Sequence, residues 1–313
     1  MRLSDLPAWA RLGLRAAAYL AGADRRPFMA AWALSYRCNL RCRYCGAPGL
    51  PATELAGPEL LALLDGYLAG GLRYVSLTGG EPLLSPHFEA FTGRARAGGA
   101  VVAVNTNGLL IAEKLEALAR CQRVGVSLDG PPAVNALARG GGARETEAAL
   151  AGAAMLAARG VAVTLNCVAS KANLGSLEEV CRMAAAAGAK AVFQPCSPVN
   201  IDFSPSALAL SAVERLRFCD TLSGLKRKYP RVVGNKSGQI SDWRAGRSPA
   251  GCQAGRIYFR ITPDGGVRVC GRLPEPARPF APAQLRAGCF DGFADRRGCE
   301  GCTAAAAHAF RLS

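Results

Sequence analysis

From residue 31 onward, short runs rich in β-branched and apolar residues alternate with longer stretches of helical periodicity. The strand candidates are 31–36, 73–77, 101–105, 123–128, 161–168 and 190–194. Between them, 58–69, 86–97, 111–120, 143–159 and 177–187 carry apolar residues at helical spacing. Gly70-Gly71, Gly98-Gly99, Gly160 and Gly188 stand where helix C-terminal glycines belong. Pro58 and Pro86 suit first helical turns, and Ser85 is an N-cap candidate for the second. Parallel strands need crossover connections, so six such β/α units predict an α/β fold with a parallel sheet and helices outside it. In that architecture the chemistry gathers at the C-terminal ends of the strands.

The pattern changes after Gln194. Residues 204–229 predict one more helix, and 233–250 are rich in Gly, Ser and Arg without clear periodicity. Two short apolar runs, 257–261 and 267–269, flank Pro263-Asp264-Gly265-Gly266 and predict a hairpin. The expected domains are therefore an N-terminal helix (1–30), the β/α unit (31–230) and a C-terminal segment (231–313). Residues 5–23 predict an amphipathic helix with Leu6, Trp9, Leu12 and Leu20 on one side. It either packs on the main domain or makes a peripheral membrane or partner contact aided by Arg2, Arg11 and Arg15. No stretch is long enough to span a bilayer, and a cytoplasmic location is expected.

Composition narrows the chemistry. The chain has 313 residues and 13 cysteines, an odd number that excludes a fully paired disulfide framework. Only two histidines, His87 and His308, are present, which argues against His-rich zinc sites. The formal charge is +15, but only six of the 38 basic residues are Lys and the arginines are scattered. With 7% aromatic residues and no recognisable RNA-binding module, nucleic acid is disfavoured as a partner. An anionic substrate, a membrane surface or an acidic electron donor such as flavodoxin or ferredoxin uses the charge better.

Directly after the first strand candidate comes Cys38-Asn-Leu-Arg-Cys42-Arg-Tyr-Cys45, a C-x3-C-x2-C run. Three thiolates on one tight loop can ligate three irons of a cubane and leave the fourth open, whereas structural zinc prefers four protein ligands. Thr78-Gly79-Gly80-Glu81-Pro82 follows the second strand, Asn105-Thr106-Asn107-Gly108 ends the third, and Ser127-Leu128-Asp129-Gly130 ends the fourth. In this order, over about residues 31–195, these motifs resemble the radical S-adenosylmethionine (radical SAM) superfamily. The resemblance implies a partial (β/α)6 TIM-like barrel, a 4Fe-4S cluster on Cys38, Cys42 and Cys45, and SAM chelated to the open iron. It further implies that Gly79, Gly80, Glu81 and Pro82 receive the methionine amino group, with Glu81 as the carboxylate near the ammonium. Ser127 and Asp129 would then contact the ribose or methionine carboxylate, with Asn105 a weaker candidate and Tyr44 the aromatic beside adenine. The implied chemistry is one-electron reduction of the cluster, cleavage of SAM to methionine and a 5′-deoxyadenosyl radical, and hydrogen abstraction from substrate.

The C-terminal cysteines extend the resemblance. Cys252-Gln-Ala-Gly255, the hairpin, Cys270 and Cys299-Glu-Gly-Cys302 look like a twitch or SPASM domain. That implies a small hairpin-plus-helix iron–sulfur domain with a second, auxiliary 4Fe-4S cluster on Cys252, Cys270, Cys299 and Cys302. The chain has too few further cysteines for a third cluster, and structural zinc is the alternative occupant. Cys289 is taken as a non-ligand that stands in if one of the four fails. Cys121, Cys181 and Cys219 fall on helical stretches as small buried apolar residues. Cys167 and Cys196 close the fifth and sixth strands, where a thiol facing the site could give a hydrogen atom to a substrate radical; packing is the alternative for both.

The function the resemblance implies is oxidation, epimerisation or cross-linking of a small natural product or a peptide by SAM-derived radical chemistry. A peptide maturase or a lipid-modifying enzyme is the alternative within the superfamily. About 30 residues precede the first strand, too few for a winged-helix leader-binding domain, which tilts the expectation toward a small molecule or leader-independent peptide. The rival from another class is a non-catalytic iron–sulfur electron-transfer protein.

Overall fold

A computed structural model describes residues 6–50, 53–246, 253–271 and 277–291. Cys252, Cys299 and Cys302 lie outside the described residues, so the expected auxiliary ligand set is represented there by Cys270 alone.

The six expected strands form. They are β1 (Met29–Ala33), β2 (Tyr74–Thr78), β3 (Val101–Thr106), β4 (Arg123–Ser127), β5 (Ala162–Ala169) and β6 (Lys190–Pro195), all paired in parallel and in sequence order. The N-terminal helix is α1 (Ala8–Leu20). The crossover helices are α2 (Gly57–Ala69), α3 (Phe88–Ala97), α4 (Leu115–Ala119), α5 (Pro132–Arg139), α6 (Ala143–Ala158) and α7 (Leu177–Ala186). Two helices, α8 (Ala212–Lys228) and α9 (Ser237–Arg244), follow β6.

Alternation along the strands separates two environments. On the outer face, Trp32 is fully buried between Tyr67 of α2 and Phe91 of α3, with ring centroids 5.8 and 4.9 Å away. Leu77, Val104, Val126, Leu165 and Phe193 continue this apolar layer. On the inner face, Ser76, Asn105, Ser127, Asn166 and Gln194 are only half-buried and share one side of the sheet by register. Asn105 Nδ2 donates to Ser76 Oγ at 3.0 Å, and Asn166 Nδ2 donates to Asn105 Oδ1 at 3.1 Å. The interior of the partial barrel is therefore a polar chamber.

Both edges of this sheet are covered. At the β1 edge the expected hairpin appears as β7 (Tyr258–Ile261) and β8 (Val267–Arg268). It shares the barrel's own sheet: β7 runs parallel to β1, with Met29 opposite Tyr258 and Trp32 opposite Ile261. A bare β1 would expose a row of unpaired backbone groups, and β7 satisfies them. At the β6 edge, Ala191 N donates to Val232 O at 2.9 Å and Gly234 N to Ala191 O at 2.8 Å. There the buried Asn235 imitates a strand residue, accepting from Phe193 N at 2.9 Å and donating to Phe193 O at 2.8 Å.

Several local expectations shift. Ser85 closes a short 3-10 turn, Pro82–Leu84, instead of capping a helix from Pro86; α3 starts at Phe88, because Glu81 accepts from Leu83 N and winds the chain tightly first. The helix expected over 204–229 begins only at Ala212, where Ser211 and Glu214 form a capping box. Helices α5 and α9 have no counterpart among the expected elements, being eight residues each with proline or glycine near their starts. In α1 the inward face carries Leu12, Arg15, Ala16 and Tyr19, while Trp9 and Leu20 point to solvent. Arg15 turns inward because its guanidinium meets Asp24 at 3.0 Å and the Arg26 carbonyl at 2.6 Å. Among the described residues no helix is long and apolar enough to cross a membrane.

Replacing Asn235 by Leu leaves the N–H and C=O of Phe193 buried and unpaired, and we expect a loss of about 2–6 kcal/mol in urea titrations, from roughly 1–3 kcal/mol per orphaned group. An unchanged midpoint would mean that the β6 edge is held by other contacts.

Candidate functional site

The cysteine loop leaves the C-terminal end of β1 and is fastened at three places. The first is the segment after β2. Gly80 N donates to Ser35 O at 2.9 Å and Glu81 N to Arg37 O at 2.8 Å, so the two loops pair through their backbones. Side chains are excluded at this seam: a Cβ on Gly79, whose φ is 108°, would lie 2.6 Å from Ser35 O, and one on Gly80 would overlap the Arg37 carbonyl. The glycines thus serve loop-to-loop approach, a need the sequence expectation assigns to the ligand. Glu81 is 1% exposed, and its carboxylate accepts from Leu83 N at 3.1 Å, Thr106 Oγ1 at 2.8 Å and Asn107 N at 2.7 Å. Burial pushes its pKa up and these hydrogen bonds oppose that. Glu81 therefore ties the Gly-Gly segment to the end of β3. Pro82 begins the buried turn that follows it.

The second fastening is a buried polar triad. Asp129, with no exposed surface, accepts from Tyr44 Oη at 2.5 Å and from Val168 N at 2.8 Å. Arg139 of α5, only 8% exposed, donates to Tyr44 Oη at 2.5 Å and lies 3.4 Å from Asp129 Oδ2. Burial raises the Tyr44 phenol well above its ordinary range, while the Arg139 charge opposes that. The sequence expectation sets Tyr44 and Asp129 against SAM without linking them, and it misses Arg139. The signal there is weak, since one Arg in a short helix after Pro131-Pro132 looks like the other scattered arginines. Arg139 Nε is buried with no hydrogen-bond partner, an unmet donor in the wall behind the cysteine loop.

The third fastening comes from the loop after β6, where Ile201 N donates to Cys45 O at 2.8 Å. Within the cysteine loop, Cys45 N donates to Cys42 O at 3.1 Å, and Leu40 N approaches Cys38 Sγ at 3.5 Å. Cys38, Cys42 and Cys45 are half-buried free thiols. Burial raises the Cys38 thiol, and it pushes Cys42 up to about 11. Among the described residues no group of three or more His, Cys, Asp or Glu side chains is set for a single metal ion. Thiolates that each take a different iron of a cubane have no need to converge on one point. Three soft donors on one loop, with one orphaned cationic donor behind them, fit an anionic iron–sulfur cluster.

The remaining candidates divide. Ser127 ends β4 on the inner face, half-buried, and its hydroxyl forms no hydrogen bond among the described residues. Asn105 belongs to the inner polar ladder. Cys196 follows β6, buried beside Tyr44, Val168 and Ala138, with Sγ 3.5 Å from Ser206 Oγ. Cys167 does not face the site: inside β5, between the inward Asn166 and Val168, its side chain joins the outer core, 3.6 Å from Asn173 Nδ2. Cys270 follows β8, and Cys289 packs partly buried against the main core. Cys121, Cys181 and Cys219 are buried as expected.

A partial parallel barrel that presents a three-thiol loop beside a Gly-Gly-Glu seam defines a class of its own. Residues 32–184 match the sequence model of the radical SAM superfamily. That stretch is a radical SAM domain. It is 33% identical over 172 residues to an AdoMet-dependent heme synthase of Methanosarcina barkeri, covering 53% of this chain and 49% of that one. It is 29% identical over 260 residues to the mycofactocin maturase MftC of Mycobacterium ulcerans, covering 78% and 68%. The crystal structure of Streptococcus suis SuiB bound to its precursor peptide SuiA superposes with a TM-score of 0.67 at 15% identity, over 90% of this chain and 68% of that one, which establishes the shared fold. The chain spans about half or less of the first curated relatives it matches.

Replacing Arg139 by Met leaves Asp129 buried without its counter-charge, and we expect a loss of about 3–5 kcal/mol in urea titrations. A loss below about 1 kcal/mol, the range of an exposed pair, would mean the triad does not hold the loop.

Proposed function

We propose that this chain cleaves SAM reductively at a 4Fe-4S cluster on Cys38, Cys42 and Cys45 and directs the resulting radical at a peptide or small natural product. The observation that carries this reading is the backbone seam of Ser35 and Arg37 with Gly80 and Glu81, which holds three thiols at the mouth of a polar chamber. When bound, the cluster and SAM supply the reductive bond cleavage and the hydrogen-abstracting radical. The protein's residues position and enclose. Gly79 and Gly80 bring bare backbone to the cysteine loop, Ser127 offers a free hydroxyl from β4, and the Tyr44 ring packs against the cluster of Ala138, Cys196 and Leu208. Asn105, Asn166 and Gln194 line the substrate's side of the chamber with donors and acceptors. Cys196, beside Tyr44, is the remaining thiol candidate for hydrogen donation.

Peptide substrates are favoured by two relatives, a maturase of mycofactocin and SuiB with its precursor peptide. Exposed Arg41 and Arg43, flanking Cys42, suit an acidic electron donor of the flavodoxin or ferredoxin kind. Cys252, Cys270, Cys299 and Cys302 are proposed to hold the auxiliary cluster.

Anaerobically reconstituted protein supplied with SAM and dithionite is expected to release 5′-deoxyadenosine, and single Ala replacements of Cys38, Cys42 or Cys45 to abolish it. A filled cluster that yields none would refute the reading and favour a simple electron carrier. The variant lacking all three thiols should still bind about four irons through the C-terminal cysteines, as a cubane on four thiolates does. Zinc or no metal in that variant would remove the auxiliary cluster from the proposal.

A further inference from the structure

The hairpin carries two arginines that the proposed chemistry does not use. Arg260 of β7 and Arg268 of β8 are directly opposite each other in the antiparallel register. Like charges in that position repel and cost stability. Arg260 is also level with Ala31 of β1, which is level with Ser76 of β2. Both guanidinium-bearing side chains therefore leave the sheet on the side of Ser76 and Asn105, the inner face of the chamber.

Among the described residues neither arginine forms an ion pair, although eleven other pairs do form. Asp264, in the hairpin turn, is engaged elsewhere: its Oδ1 accepts from Thr262 Oγ1 at 2.5 Å and from Gly266 N at 3.2 Å. Arg268 Nε is buried without a hydrogen-bond partner. The two side chains are nonetheless held in place. The Arg268 guanidinium lies 5.8 Å from the centre of the Phe203 ring, a cation–π contact. Phe203 itself sits at φ 66°, the sole non-glycine residue with positive φ among the described residues. Backbone strain of this kind persists only where surrounding contacts demand it. Arg260 rests against Gly271, where an added Cβ would come 2.7 Å from Nη1.

We propose that Arg260 and Arg268 form an oxyanion-binding subsite that takes the phosphate or carboxylate end of the substrate. The proposal rests on the chamber being the substrate site and adds what the substrate must carry. Two adjacent planar guanidiniums offer paired donors that match the oxygens of either group, and an oxyanion between them removes their mutual repulsion. The hairpin thereby fixes one end of the substrate at the β1 edge of the chamber, on the strand next to the one that leads into the cysteine loop.

The test is calorimetric titration of the anaerobically reconstituted full chain at fixed ionic strength, without reductant, using pyrophosphate and malonate as probes. At least one probe should bind, pyrophosphate alone marking a phosphate end and malonate alone a carboxylate end. Arg260→Gln and Arg268→Gln should each weaken binding about tenfold or more, as loss of a charge-assisted pair predicts. The charge-preserving Arg260→Lys and Arg268→Lys should lie between, which separates recognition from misfolding. Arg231→Gln, an exposed change of equal charge, should bind like the unaltered protein. The proposal is overturned if neither probe binds at about 10 mM, weaker than any specific site requires, if both Gln variants bind unchanged, or if Arg231→Gln weakens binding equally. Release of 5′-deoxyadenosine, followed separately in the unaltered protein, decides the radical reading and leaves the outcome of the titration untouched.

Discussion

Asp129 is a carboxylate with no exposed surface, and the arrangement of the cysteine loop depends on it. A buried charge is tolerated only when its lone pairs are met and its charge is balanced. Asp129 achieves this with Tyr44 from the cysteine loop, the Val168 amide of β5 and the guanidinium of Arg139 from α5. Its own backbone is held as well, by Asn135 Oδ1 at its N–H and Asn173 Nδ2 at its carbonyl. One side chain thus joins the loop after β1, the end of β4, the end of β5 and α5. In a low-dielectric setting such a network is stiff when complete and costly when broken.

Glu81 does a parallel job on the other side. It is buried, saturated by Leu83, Thr106 and Asn107, and it locks the Gly-Gly seam against β3. Both acidic residues, Glu81 and Asp129, are structural anchors in this arrangement, their carboxylate oxygens taken up by donors of the protein itself. Half-buried Asn105 and Asn166 line the chamber between those anchors, and the hairpin arginines close it at the β1 edge. The cysteine loop, the polar chamber and the hairpin arginines come from different parts of the chain and meet because the hairpin shares the barrel's sheet.

Much of this is legible in the sequence because two periodicities and one spacing carry it. Alternating β and helical runs predict six parallel strands, and Cys38-x3-Cys42-x2-Cys45 predicts where the chemistry sits. What escapes is contact between distant segments. The pairing of β7 with β1 joins residues more than two hundred positions apart, and no local pattern announces it. Arg139 looks like any surface arginine until α5 turns it inward. Cys167 and Cys196 look equivalent at strand ends, but Cys167 falls on the outer side of the pleat and Cys196 beyond it. Apolarity alone would send Trp9 and Leu20 inward, whereas Arg15, with an acid and two carbonyls to reach, takes that face.

The proposed chemistry requires that the cysteine loop hold a cluster with one iron left open for SAM. Electron paramagnetic resonance of the reduced Cys252→Ala, Cys270→Ala variant, reconstituted so that only the cluster on Cys38, Cys42 and Cys45 remains, tests this most directly. Adding SAM is expected to shift the g-values of that reduced cluster, because its amine and carboxylate enter the iron's coordination. A fully loaded cluster whose spectrum is identical with and without SAM would contradict it.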